Sequence, residues 1–250
     1  MLYLNRLNNL INHIYISMKN PLSNNHQLSP FMQYLASLPQ QGTVRIPPLT
    51  ELSRVLGISI ASLREQMEVA RTMGIIEVHP RTGIQRLPFT FVHAAASSLA
   101  YSVACDEENF SRYADFRKHV ESAYWRQAVS LLTEEDIHKL KRLVHKAQDK
   151  LNRKPPQIPH EEHKELHLSI YHRLNNPFVS GVLEAYWLLY EDTGLAVFLD
   201  LSYLEQVWLY HQKMVEAIAA GDLDQGYKYF LEHMEMLSQR TLKDKRHRFE

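Results

Sequence analysis

His163 and His167 stand four residues apart, and His211 and His233 follow on two later stretches, 22 positions from one another. An i, i+4 pair lies on one face of a helix, so both imidazoles can reach one point in space. Neutral imidazole nitrogen is a ligand for zinc, and nickel is the other candidate for such a donor set. A single buried histidine is ordinarily a hydrogen-bonded core residue. Four of them make a metal site only if their helices pack as a bundle with the rings facing inward. His163 leaves alternatives open: it could turn away and leave three histidines and a water, with Glu162 or His160 as substitutes if the helix start is distorted. His119, His138, His145 and His172 share no common spacing and read as surface residues.

The elements needed to bring the four together are legible in the apolar spacing. Phe110, Tyr113, Phe116, Val120, Tyr124, Ala128 and Leu131 recur at steps of three and four, predicting one long helix. Thr133 with Asp136 opens the next, through Ile137, Leu140, Leu143, Val144 and Leu151. The run KPPQIP at 154–159 cannot be helical and precedes the helix of His163 and His167. After Asn175-Asn176-Pro177 a helix covers about Phe178 to Tyr190. Ser202 to Glu205 reads as a capping box opening the helix of His211, which stops near Gly221-Asp222, and the last helix, to about Leu242, carries His233. Residues 92–242 are thus expected to form an all-helical bundle of six or seven helices, followed by a charged tail at 243–250.

The first part of the chain has a different grain. After an extension over 1–28, residues 29–88 give a short helix through Phe31, Tyr34, Leu35 and Leu38, a helix from about Leu49 to Leu56, a turn at Gly57, and a helix from about Ser59 to Met73. Two strands follow, Ile75 to Val78 and Ile84 to Leu87, around a turn at Pro80 to Gly83. That order is a winged helix-turn-helix, so the fold class is mainly α, with an N-terminal winged unit and a C-terminal bundle.

Charge supports the division. The 250 residues carry 28 Lys and Arg against 28 Asp and Glu, yet residues 1–90 hold eight basic side chains against four acidic ones, leaving 20 against 24 in the rest. A basic first part suits a polyanion. The single cysteine, Cys105, cannot close an intramolecular disulfide, suits a reducing interior and is expected to pack as a small apolar residue. No run of eighteen uninterrupted apolar residues occurs, and Asn5, Asn8, Asn9 and Asn12 break the opening segment where a signal peptide would need an apolar core. Met18 is a second possible initiator. A cytoplasmic protein that meets no membrane is expected.

With these elements in place, the chain resembles the GntR family of bacterial transcription regulators, in the FadR-like branch with an all-helical FCD domain. The resemblance covers about residues 29 to 240. In the first domain it rests on Ile46-Pro47, Glu51-Leu52, Leu56-Gly57-Ile58-Ser59, Leu63-Arg64-Glu65, Gly74-Ile75-Ile76 and Arg81-Thr82-Gly83. In the second it rests on Arg117 with Glu121, His167 with Asn176-Pro177, His211 to Ile218, Gly221-Asp222 and His233. Two positions depart from the family pattern. His163 stands where the family usually has an acidic residue, and Pro47-Pro48-Leu49-Thr50 replaces a Pro-Ser-Glu-Arg run whose glutamate and arginine assist DNA contact.

The resemblance implies a recognition helix from Ser59, with Ser59, Ala61, Ser62, Arg64 and Glu65 outward over a stripe of Ile60, Leu63, Met67 and Ala70. Arg64 matches the family's DNA-contacting arginine and can pair with guanine or grip phosphate. Arg45, Arg54 and Arg81 are further phosphate candidates, with Thr82 and Gly83 at the wing tip. Each domain covers one half-site, so a homodimer on a roughly palindromic operator is implied. In the helical domain the resemblance implies a divalent metal, zinc or nickel, on His163, His167, His211 and His233. It also implies a small organic acid as effector, held by Arg117 with Asn176, Tyr113, Tyr124 and Tyr186 around it. Because His163 lacks the family's negative charge, a bound metal would keep its full +2 and attract an anion more strongly.

Two other functions compete. The helical part could be a dimerisation scaffold without a ligand. It could instead be a metal-dependent hydrolase, but Lys164 stands where a zinc protease has its glutamate, and Glu165 lies about 200° around the helix from His163. A regulator rather than an enzyme is expected.

Overall fold

The computed structural model of the chain describes residues 28–39, 42–81, 83–192 and 200–247, without the side chains of 191, 192 and 237–247. The expected N-terminal extension up to residue 27, Thr82 of the wing tip and residues 248–250 of the tail lie outside the described residues. The chain forms two compact units, Met1–Ala94 and Ala95–Glu250.

In the first unit Ser29 opens α1 (Pro30–Ser37), its Oγ accepting from the Met32 amide, with Pro30 at the first helical position where a missing N–H costs nothing. β1 (Val44–Arg45) leads to α2 (Leu49–Leu56), which ends at Gly57 with φ 66°. Ser59 then caps α3 (Ile60–Thr72), accepting from the Ser62 amide at 3.1 Å. β2 (Ile76–His79) and β3 (Gly83–Arg86) form the wing, paired antiparallel from Ile76 opposite Arg86 to His79 opposite Gly83. β1 adds to the far side of β3, giving the order β1-β3-β2, so the sheet has three strands rather than the expected two. Two residues are too few to show an alternating pattern in a sequence. Phe31, Leu35, Leu52, Leu63, Ala70 and Ile76 make the core. Ile60, expected in the buried stripe, is 36% exposed.

The second unit begins within α4 (Val92–Cys105), a helix that its small, weakly patterned residues (VHAAASSLAYSVAC) did not announce. Cys105 at its end is exposed, not packed as expected, because the helix buries only Ala95 and Leu99. Then come α5 (Glu108–Ser130), α6 (Glu134–Leu151), α7 (His160–Tyr171), a 3-10 turn at His172–Leu174, α8 (Pro177–Asp192), α9 (Leu201–Ala219) and α10 (Leu223–His247). This unit has seven α-helices among the described residues, and no described helix of either unit is long and apolar enough to cross a membrane.

The helix starts follow local chemistry. α6 opens on a reciprocal capping box: the Asp136 amide donates to Thr133 Oγ1 and the Thr133 amide to Asp136 Oδ2 at 2.8 Å. α9 opens earlier than expected. Its cap is Asp200, which accepts from both the Ser202 amide and the Ser202 hydroxyl, so Ser202 lies inside the first turn and is no cap. α10 continues to His247 through the expected start of the tail. α9 and α10 join through Gly221, whose φ of 74° suits a glycine after a helix end. The core runs through Trp125, Leu140, Leu166, Ile170, Leu183, Met214 and Phe230, and the indole of Trp125 donates to the Leu223 carbonyl at 3.2 Å, tying α5 to the start of α10.

Candidate metal centre

α7 contributes His163 and His167, α9 contributes His211, and α10 contributes His233. One ligand nitrogen from each can be chosen so that all four lie within 4.8 Å of one another. His167, His211 and His233 are fully buried; His163 keeps part of its surface, but its Nε2 is buried. Nε2 of His211 and Nε2 of His167 are 3.3 Å apart. A tetrahedron with metal–nitrogen bonds of about 2.0–2.1 Å has edges of about 3.3–3.4 Å, so this pair already spans one edge.

The ring nitrogens are short of partners. Nε2 of His163, Nδ1 of His211 and both nitrogens of His233 are buried with no hydrogen bond among the described residues. Leaving such atoms unpaired costs about 1–3 kcal/mol each. A cation among them would use one lone pair from each ring, so the donor set fits a divalent metal that favours nitrogen. Burial pushes the His163, His211 and His233 imidazoles well below their usual range, with neighbouring histidines adding to the effect for each. The rings are therefore neutral, the state that binds metal.

Arg117 and Glu121 of α5 form the floor. Arg117 Nε donates to Glu121 Oε1, both residues are buried, and the guanidinium carbon lies 4.2 Å from the Tyr186 ring centre and 4.9 Å from that of Trp187. Glu121 Oε2 lies 2.9 Å from His167 Nδ1, and the Tyr171 hydroxyl donates to the Glu121 carbonyl at 3.0 Å. Burial would raise the Glu121 carboxyl, but Arg117 and His167 outweigh it and hold it at about 2. Glu121 is thus ionised and matched by Arg117, and the four imidazoles add no charge.

The FCD domain family matches residues 113–236, which contain every residue of this cluster. The chain carries an FCD domain over these residues. An uncharacterized HTH-type transcriptional regulator YcbG of Bacillus subtilis (strain 168) is 24% identical over 203 residues, 80% of this chain and 81% of that protein. The solved structure of Streptococcus agalactiae GntR superposes with a TM-score of 0.60 at 16% identity, covering 80% of this chain and 90% of the other, a likeness of fold. This FCD protein is a DNA-binding transcriptional regulator with an effector-binding domain.

The FCD fold brings some expected site residues together and not others. Arg117 and Tyr186 meet at the cluster. The Tyr113 hydroxyl donates to the Val182 carbonyl at 3.0 Å, and burial pushes it up to about 12. Tyr124 packs against the core. Asn176 is a helix cap: its Oδ1 accepts from the Phe178 and Val179 amides. Glu162 is no substitute ligand, since Lys150 donates to it at 2.7 Å, and the His163 ring sits 4.8 Å from that of His211 rather than turning out. Glu165 is engaged by Lys139. His119, His138, His145 and His172 are exposed, as their lack of common spacing implied.

In the winged unit Arg64, Arg45, Arg54 and Arg81 are exposed. Ser59 is spent as the α3 cap, and the Ser62 hydroxyl accepts from Gln66 at 3.1 Å. Gly83 has φ 79°, which admits close backbone approach at the wing. Three neighbours of the cluster escaped the sequence reading: Trp187, Trp208 and the carboxylate of Glu121 as a partner of His167. Trp187 lies 4.8 Å from the His163 ring and Trp208 4.8 Å from that of His211. Trp208 stands three residues before His211, a spacing that puts it on the same helix face and was the available signal.

Proposed function

We propose that this regulator binds one divalent cation, zinc or nickel, on His163, His167, His211 and His233, and with it a small carboxylate whose binding changes how the protein holds DNA. The observation that carries this reading is the meeting of four neutral imidazoles, with four unpaired buried nitrogens, in the centre of the bundle. The cation supplies a Lewis acid that takes a carboxylate oxygen; Arg117 supplies a buried guanidinium on the same floor. No ligand to the cation would carry negative charge, and Glu121 is matched by Arg117. A dication would therefore leave a buried net charge that an anion offsets. Di- and tricarboxylates are favoured over monocarboxylates on this count.

The DNA side rests on Arg64, Arg45, Arg54 and Arg81 with the wing around Gly83. A homodimer would place two recognition helices on the halves of a roughly palindromic operator. Metal analysis of tag-free protein tests the central claim. About one equivalent of zinc or nickel per chain is expected, lost in a His211→Ala, His233→Ala double variant that still folds. Purified protein that takes up no metal on zinc addition would refute it and leave a helical scaffold.

A further inference from the structure

We propose that Glu121 is a positioning residue that fixes which nitrogen of His167 faces the cluster, an inference that rests on the metal reading above. His167 Nδ1 stands 2.9 Å from Glu121 Oε2 and 3.0 Å from Arg117 NH2, while its Nε2 stands 3.3 Å from His211 Nε2. A neutral imidazole has one ring proton to place. At Nδ1 the proton is donated to the carboxylate, and the Nε2 lone pair faces the centre. At Nε2 it would leave the Nδ1 lone pair to accept from Arg117 NH2 but also against an ionised carboxylate oxygen, two acceptors in contact, while Arg117 already has Glu121 as its acceptor.

His211 resolves the choice independently. Its Nδ1 is buried with no partner among the described residues. An orphaned N–H is rarer in buried positions than an unfilled acceptor, so the His211 proton sits on Nε2 and is donated to His167 Nε2. That nitrogen is then an acceptor, and the His167 proton must be on Nδ1, bonded to Glu121. Two arguments from opposite ends of the ring agree.

Two consequences follow. His167 is set for a cation before one arrives, and its tautomer does not change on loading. His211 is the ring that must change: its proton moves from Nε2 to Nδ1, the ring stays neutral, and Nε2 becomes a ligand. Arg117 NH2, facing the Nδ1–H of His167, has no acceptor there and remains a donor on the cluster floor, which suits an oxyanion.

The test is a two-bond proton–nitrogen NMR correlation of the full chain labelled with ¹⁵N in its histidine rings, metal-free and loaded with zinc. Expected are a His167 proton on Nδ1 in both states and a His211 proton that moves from Nε2 to Nδ1. A metal-free His167 protonated at Nε2 overturns the inference even when zinc binds at one equivalent. Failure to take up zinc at all sinks the functional reading instead. Glu121→Gln, whose amide can also donate to Nδ1, should weaken zinc about 10- to 100-fold. Unchanged zinc affinity in that variant also overturns the assignment, and if the variant does not fold the wild-type spectra decide alone.

Discussion

Replacing His163 by aspartate isolates the role of charge in effector capture. The substitution restores an acidic side chain at a position whose ring stands 5.1 Å from His167 and 4.8 Å from His211, and lowers the formal charge of a loaded centre by one. Two unit charges 4.8 Å apart, the breadth of the ligand cluster, interact by about 3.5 kcal/mol at an effective dielectric of about 20. That figure is a ceiling for the penalty on an anion bound beside the metal. A carboxylate spreads its charge over two oxygens and His163 keeps some solvent exposure, so a loss of about 1.5–3 kcal/mol is expected, roughly 10- to 100-fold in Kd. Zinc itself should bind the His163→Asp protein at least as tightly as wild type. The assay is calorimetry on zinc-loaded protein, titrated with malate, succinate and citrate and compared for the tightest of them. Equal or tighter carboxylate binding by the variant, with one zinc still bound, would refute the argument that uncompensated charge draws the effector.

Arg64→Ala should abolish retention of operator DNA, chosen by selection from random duplexes, in a gel-shift assay; retention equal to wild type would remove Arg64 from the reading head. Asp136 is held well below the usual carboxylate range, chiefly by the hydrogen bond from Arg173, with Thr133 adding to it. A carboxyl depressed in the folded state stabilises fully above its ordinary pKa of about 3.9 and loses that contribution as pH falls toward the folded value. Asp136→Asn should therefore cost about 1 kcal/mol at pH 7, seen as a drop of about 2–4 °C in Tm, and the gap should narrow below about pH 4. A pH-independent gap would contradict the sign. Gly74 combines φ 67° with a Cβ position 2.1 Å from His93 Cδ2, so Gly74→Ala should lower the denaturant midpoint of the first unit. An unchanged midpoint would show that the imidazole yields at no cost.

Much of the architecture could be read in advance because its signals are local. Thr133 and Asp136 form a cap within one turn, Gly57 and Gly221 stop helices by their own φ, and the steps of three and four after Phe110 mark α5 as a helix, although the face it buries is that of Arg117, Glu121, Trp125 and Ala128, with Phe116 and Leu131 exposed. The four histidines were legible for the same reason on α7 alone, where spacing fixes the face, and through the family pattern for His211 and His233. What escaped depended on distant partners or on weak local contrast. β1 exists only through its pairing with β3, and α4 offers small residues on every side. The capping role of Asn176 could not be read because a carboxamide can line a pocket or cap a helix, and the cap depends on the path of α8. Glu121 was seen as a partner for Arg117; that its second oxygen reaches His167, 46 positions on, is a fact of how α5 meets α7.

The rings lie where a bundle of this size would ordinarily keep leucines, with Trp187 and Trp208 beside them. A cation held among them, as proposed, would tie α7, α9 and α10 to a single point in the middle of the bundle.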